Sequence, residues 1–144
     1  MADVNMVAEG LVRMSAHGPI LLGSRCRGCG ETYFPQAHAC TRCCATGLEI
    51  AELGDRGTLW SWTVQSFLPK PPYNGGEDAA SFKPFGVGYV QMPCGVKVEA
   101  RLTTADPQVL RVGLPMRLRL EPYRRTVEGQ AIHTYAFAPA GDAP

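Results

Sequence analysis

Two cysteine pairs, Cys26–Cys29 and Cys40–Cys43, stand ten residues apart in the sequence C-x-x-C-x10-C-x-x-C. Each pair sets two sulfurs on one tight turn, where backbone N–H groups can stabilise thiolates. Two such knuckles offer four thiolates to one tetrahedral metal, usually zinc. A rubredoxin-type iron site and two disulfides are the competing readings of the same residues. Gly30 follows the first pair, where the turn favours a positive φ. Cys44 follows the second, where glycine would fit more easily, and it is a conceivable replacement for Cys43. Four thiolates close a coordination sphere, so this motif predicts a structural metal rather than a reaction centre.

Other candidates for chemistry are sparse. Cys94 sits in Met92-Pro-Cys-Gly95, which reads as a hairpin tip, with no base beside it in sequence. His38 precedes Cys40 by two residues and is a reserve ligand at best. His17 lies before a strand, and His133 alternates with Ala131, Tyr135 and Phe137 as a packed or rim residue does. No H-E-x-x-H, G-x-S-x-G or phosphate loop occurs. No catalysis is expected from this chain alone. Arginine is more informative: Arg117, Arg119, Arg124 and Arg125 cluster late in the chain, with Arg101 and Arg111 before them. Such a group suits a small phosphorylated ligand.

Composition narrows the class. The chain has 144 residues, 45% of them apolar, enough for one ordinary domain or two small ones. No apolar run approaches the roughly 18 residues of a membrane span. The N-terminus lacks the basic start and apolar stretch of a signal peptide. A cytoplasmic location is therefore expected, where cysteines favour metal over disulfides. The formal charge is +1, and four metal-bound thiolates would lower it by about two. That balance argues against nucleic acid as a partner.

Three stretches must position these residues. In residues 4–14, Val4, Val7, Leu11 and Met14 recur at three and four, predicting a helix with one apolar face, weakened by Gly10. That face is covered either by the same chain or by a partner subunit. Ile20–Arg25 reads as a strand entering the metal loop, and residues 48–57 as a joint. From Gly57 the period becomes two: Trp60, Trp62 and Val64 share a face, and strands follow at 86–92, 95–103, 116–123 and 131–137. Five short strands in about eighty residues predict a closed OB-type barrel. The Pro/Gly-rich segment 68–85 is too long for a hairpin loop, and such loops are often functional. The expected organisation is mainly β: residues 1–50 as N-terminal helix plus rubredoxin-like zinc ribbon, 51–138 as the OB-fold, and 139–144 as a frayed tail.

The order CRGCG, P-x4-CTRC, GDRGTLWSWTV, PFGVGYVQM, GVKVEARL and LRVGLPMRLRLEP resembles the acyl-CoA-associated family known as domain of unknown function 35. The resemblance covers roughly residues 10–138. It rests on Gly54, Gly57, Thr58 and the Val112–Met116 stretch as much as on the cysteines. The chain is also similar to the small subunits of two-component thiolases for bulky acyl-CoA thioesters, such as benzoylsuccinyl-CoA thiolase. The resemblance implies one structural zinc on Cys26, Cys29, Cys40 and Cys43. It further implies a non-catalytic subunit bound to a thiolase-fold enzyme in a hetero-oligomer, shaping the site for aromatic or branched acyl-CoA. In that frame Lys83, Arg101 and Arg124 are candidate CoA contacts. Val4, Val7, Leu11 and Met14 are the candidate partner interface. Gln36-Ala37 stand where the family commonly has arginine after its proline, and the second knuckle lacks the usual proline and glycine. The alternatives are a single-strand nucleic-acid binder stacking bases on Trp60, Trp62 and Tyr89, and an iron-loaded electron-transfer module.

Overall fold

The computed structural model of the protein describes residues 4–141, and all nine elements within them are strands. The helix expected over residues 4–14 is not present. Gly10 has φ 78° and Gly18 φ 118°, conformations incompatible with a continuous right-handed helix. Between them Val12–Ser15 forms β1, which turns at Ala16-His17 and pairs antiparallel with β2 (Gly18–Cys26). Upstream, the Val7 N–H donates to the His133 carbonyl at 2.8 Å, and the His133 N–H donates to Asn5 at 2.7 Å. The segment around Met6 thus lies parallel to the last strand, its backbone groups satisfied by sheet-like bonds rather than helical ones.

The supposed apolar stripe is dispersed by this geometry. Leu11 is 7% exposed, within its own chain, whereas Val7 is 40% exposed; Val4 and Met14 are half-buried. Gln36 secures the arm by donating from Nε2 to the Gly10 carbonyl at 2.8 Å.

The long strand β2 organises the N-terminal sheet. One edge carries β1 and then β3 (Thr32–Tyr33); the other carries β4 (Leu48–Gly54). Gly54, at φ 93°, passes the chain from β4 directly into β5 (Arg56–Gln65). The strands β5, β6 (Phe85–Gln91), β7 (Lys97–Leu102), β9 (Ala131–Pro139) and β8 (Pro115–Arg125) close in that order into a barrel. Within the barrel, the β7–β9 pairing is parallel and the others antiparallel. Pro139 belongs to β9, and the Ala140 N–H donates to the Pro115 carbonyl, so the expected fraying does not begin at Pro139. Residues 142–144 of that tail lie outside the described residues.

The barrel interior is built from Leu59, Val90, Met92, Val98, Ala100, Leu102, Met116, Leu118 and Phe137. The same cluster contains Leu21 and Leu53 from the N-terminal sheet, and Phe34 packs edge-to-face on Tyr135 with ring centroids 5.3 Å apart. Ribbon and barrel therefore share one hydrophobic core. Gly57 is demanded by this closure, since a Cβ there would stand 2.6 Å from Val90 and 2.7 Å from the Gln91 carbonyl.

A register shift between Leu59 and Ser61 makes Trp60 the extra residue of a bulge. Leu59 points inward, Trp60 is 49% exposed, and Trp62 returns to the core. The two tryptophans thus do not share the face that simple alternation predicts. The bulge reverses the phase between them.

These burial differences give a test. Leu11→Ala should destabilise the isolated chain by about 2–3 kcal/mol, lowering its melting temperature by several degrees. Val7→Ala should change stability by less than about 0.5 kcal/mol. Equal thermal melts for the two variants would contradict the placement of the N-terminal arm.

Candidate metal centre

The sulfurs of Cys26, Cys29, Cys40 and Cys43 all lie within 4.8 Å of one another. Two of the pairs, Cys26–Cys43 and Cys29–Cys40, are 3.5 Å apart. A tetrahedral zinc with Zn–S of about 2.3 Å requires sulfurs about 3.8 Å apart, so this donor set fits such an ion. Four soft thiolates in a tetrahedral array suit zinc or iron. Both separations are far beyond the roughly 2.05 Å of a disulfide, and the four cysteines are free thiols.

Local structure builds each half. Cys26 ends β2, and the Gly30 N–H donates to its carbonyl at 2.9 Å, with Gly30 at φ 79°. The second knuckle repeats this turn: the Cys44 N–H donates to the Cys40 carbonyl at 2.9 Å, with Cys44 at φ 65°. Cys44 is the only non-glycine residue at positive φ among the described residues, and it occupies the position equivalent to Gly30. Its thiol is exposed and outside the cluster of four. The alternative in which Cys44 replaces Cys43 does not match this arrangement.

The electrostatics are uneven. Cys40 is brought down to about 6, chiefly by the Tyr33 hydroxyl 3.1 Å from its sulfur, which together with the Cys43 and Arg42 N–H groups outweighs burial. Cys26 is also lowered, first by the Cys29 N–H. Cys43 receives a favourable bond from the Ala45 N–H, yet the crowding thiols of Cys26, Cys29 and Cys40, together with burial, push it up to about 12. One anion in the cluster thus suppresses the next, which is the charge problem a cation resolves. Tyr33 is the residue that sequence reading missed; only its position on β3, seven residues before Cys40, could have drawn attention to it.

The other candidates are elsewhere. His38 and His17 are exposed and outside the cluster. Cys94 is exposed at the β6–β7 turn. Of the cationic residues, Lys83 is exposed on the 68–85 segment, and Arg124 lies half-buried on β8 opposite Ile132. Arg101 is engaged: its guanidinium lies 3.9 Å over the Phe85 ring and 5.5 Å from the Tyr123 ring, and Nη2 donates to the Tyr73 hydroxyl at 3.2 Å. Tyr73 in turn donates to Glu77 at 2.8 Å, and Tyr123 to Asn74 at 3.1 Å. Arg101 therefore fastens the long segment to the barrel.

Two substitutions separate the neighbouring cysteines. Cys43→Ser should abolish tight metal uptake, measured by elemental analysis of the purified chain. Cys44→Gly should keep the metal and gain about 1 kcal/mol by removing the left-handed side chain. Metal loss in Cys44→Gly with retention in Cys43→Ser would reverse the ligand assignment.

Comparison with known proteins agrees with this architecture. Residues 19–49 match the ChsH2 rubredoxin-like zinc ribbon domain, and residues 51–121 match the ChsH2 C-terminal OB-fold domain. The chain is 27% identical over 137 residues to benzoylsuccinyl-CoA thiolase subunit BbsA of Thauera aromatica, covering 94% of this chain and 88% of that one. It is 28% identical over 120 residues to a DUF35 domain-containing scaffold protein of Pyrococcus furiosus, covering 83% and 82%. The BbsA subunit of Geobacter metallireducens is 29% identical over 119 residues, covering 83% and 74%. Among solved structures, the Ltp2-ChsH2(DUF35) aldolase superposes with a TM-score of 0.62 at 21% identity, covering 84% of this chain and 85% of that one, a likeness of fold. With the paired knuckles, the five-strand barrel and both domain matches in sequence order, the chain belongs to the DUF35 family of ChsH2-type zinc-ribbon and OB-fold proteins.

Proposed function

We propose that this chain is the non-catalytic accessory subunit of a thiolase-type acyl-CoA enzyme, carrying one structural zinc. In this reading it works in the cytoplasm on bulky, aromatic or branched acyl-CoA thioesters. The observation that carries the proposal is the near-full-length similarity to a protein named as a thiolase subunit. The closed four-sulfur set supports it, because it leaves no ligand position for a substrate. Cys94 and the histidines stand outside that set of four. The partner would supply the reacting groups.

The contact surface needs revision from the apolar face expected of the N-terminal segment. Leu11 is committed to its own core, which leaves Val4, Val7 and Met14 as the outward part of that arm. Trp60 and Tyr89 add a second surface: they meet edge-to-face at 6.2 Å, both over 40% exposed, with the Lys97 ammonium 4.6 Å from the Trp60 ring. Half-exposed aromatics of this kind are enriched among the residues that dominate protein interfaces. The same pair favours base stacking as a second reading, although Trp62 is not available for it. Lys83 and Arg124 remain the proposed contacts for CoA phosphates, while Arg101 places the segment that carries Lys83.

The test is reconstitution with a candidate thiolase-fold partner chain. The isolated subunit should show no thiolysis or condensation of acyl-CoA, and the pair should co-elute and turn over. Trp60→Ala should weaken co-elution at least tenfold, and Lys83→Ala should raise the apparent KM with the complex intact. Turnover by the isolated chain, lost in Cys94→Ala, would refute the accessory role. Tight binding of a single-stranded oligonucleotide, lost in Trp60→Ala, would favour the second reading.

A further inference from the structure

We propose that Tyr33 is a positioning residue for the four-cysteine centre, its phenol O–H donating to the Cys40 thiolate and slowing metal release. The inference rests on the reading that the centre holds a metal. Tyr33 is fixed on β3 by its pairing with Ser24 of β2, and its hydroxyl oxygen lies 3.1 Å from Cys40 Sγ. The Thr41 N–H donates to that oxygen at 3.0 Å. One lone pair of the phenol is thereby filled, and the phenol proton must go to another acceptor. Two stand in reach, Cys40 Sγ and Thr41 Oγ1, each at 3.1 Å. A thiolate is an anion and the threonine hydroxyl is neutral, so the charge-assisted bond to sulfur prevails.

This donor differs in kind from the others. Cys26 is served by the backbone N–H groups of Cys29 and Gly28, Cys29 by Glu31, and Cys43 by Ala45. Cys40 has the N–H groups of Cys43 and Arg42 and, in addition, the phenol. Among the described residues, Tyr33 is the one side chain other than cysteine that bonds a sulfur of the cluster. Cys40 is only 3% exposed, so bulk water has little access to replace a lost phenol. The donation from a hydroxyl fixed on β3 holds Cys40 Sγ in its ligating direction. Outer hydrogen bonds to metal ligands commonly carry 10–100-fold in metal affinity.

The full chain is loaded with zinc, and zinc transfer to a chromophoric chelator is timed at neutral pH. Tyr33→Phe should load zinc as the wild type does and release it about tenfold faster or more. The cobalt-substituted protein should show a shifted sulfur-to-metal charge-transfer band in Tyr33→Phe. Should Tyr33→Phe fold poorly by thermal melt, site-specific 3-fluorotyrosine at position 33, a stronger donor, supplies the opposite arm and should slow release. Unchanged release with an unchanged cobalt spectrum in folded Tyr33→Phe, or unchanged release with fluorotyrosine, would overturn the role of Tyr33. A wild-type chain that takes up neither zinc nor cobalt would overturn the metal reading itself, and this inference with it.

Discussion

Four sulfur atoms held within 4.8 Å of one another are the constraint on which the N-terminal half depends. As thiolates they repel: two unit charges about 4 Å apart oppose each other by roughly 4 kcal/mol even at an effective dielectric constant of 20. Without a cation the repulsion is relieved by protonation: the neighbouring thiols help push Cys43 up to about 12, while the Tyr33 hydroxyl chiefly brings Cys40 down to about 6. A divalent ion converts the repulsion into attraction for all four at once. Beyond the Phe34 contact, the short β3 pairing and the Gln36 bond, residues 26–47 have little to hold them, since within that stretch only Cys26 and Cys40 are buried. Metal ligation takes the place of a core, as it does in small domains too short to build one.

The metal loop is then made rigid relative to the barrel by one strand. β2 carries Cys26 at its end, Leu21 in the shared core, and pairs with β4, which continues through Gly54 into the first barrel strand. Phe34 leaves the loop between the knuckles to pack on Tyr135 of the last strand. Exposed ion pairs such as Arg13–Glu52 at 2.7 Å also link the sheet. At about half exposure, such a pair contributes on the order of 1 kcal/mol or less. Burial of leucines and aromatics across the ribbon–barrel seam dominates. The knuckles, the arm and the Trp60 patch are thereby tied to one shared core.

Much of this was legible in the chain. The C-x-x-C spacing and the Gly30 turn identify the metal loop because both are local requirements of knuckle geometry. The barrel strands are visible because one face of each is buried and the period is two. The N-terminal arm misled because Val4, Val7, Leu11 and Met14 happen to fall at helical spacing. Gly10, and Gly18 after the Ala16-His17 turn, carried the opposing signal, and the backbone followed the glycines. Trp60 and Trp62 misled because a bulge inserts one residue without any mark in the alternation. The parallel β7–β9 closure and the Tyr73–Arg101–Tyr123 fastening join residues far apart in sequence, and local patterns hold no record of such partners. Tyr33 belongs to the same class.

That metal ligation takes the place of a core between the knuckles is tested most directly by hydrogen–deuterium exchange, with and without chelator. Metal removal should strip protection from amides of residues 26–47, including the Gly30 and Cys44 N–H groups that close the knuckles. Amides in β5 to β9 should keep theirs. Full protection of the knuckle amides in metal-free protein would contradict the account.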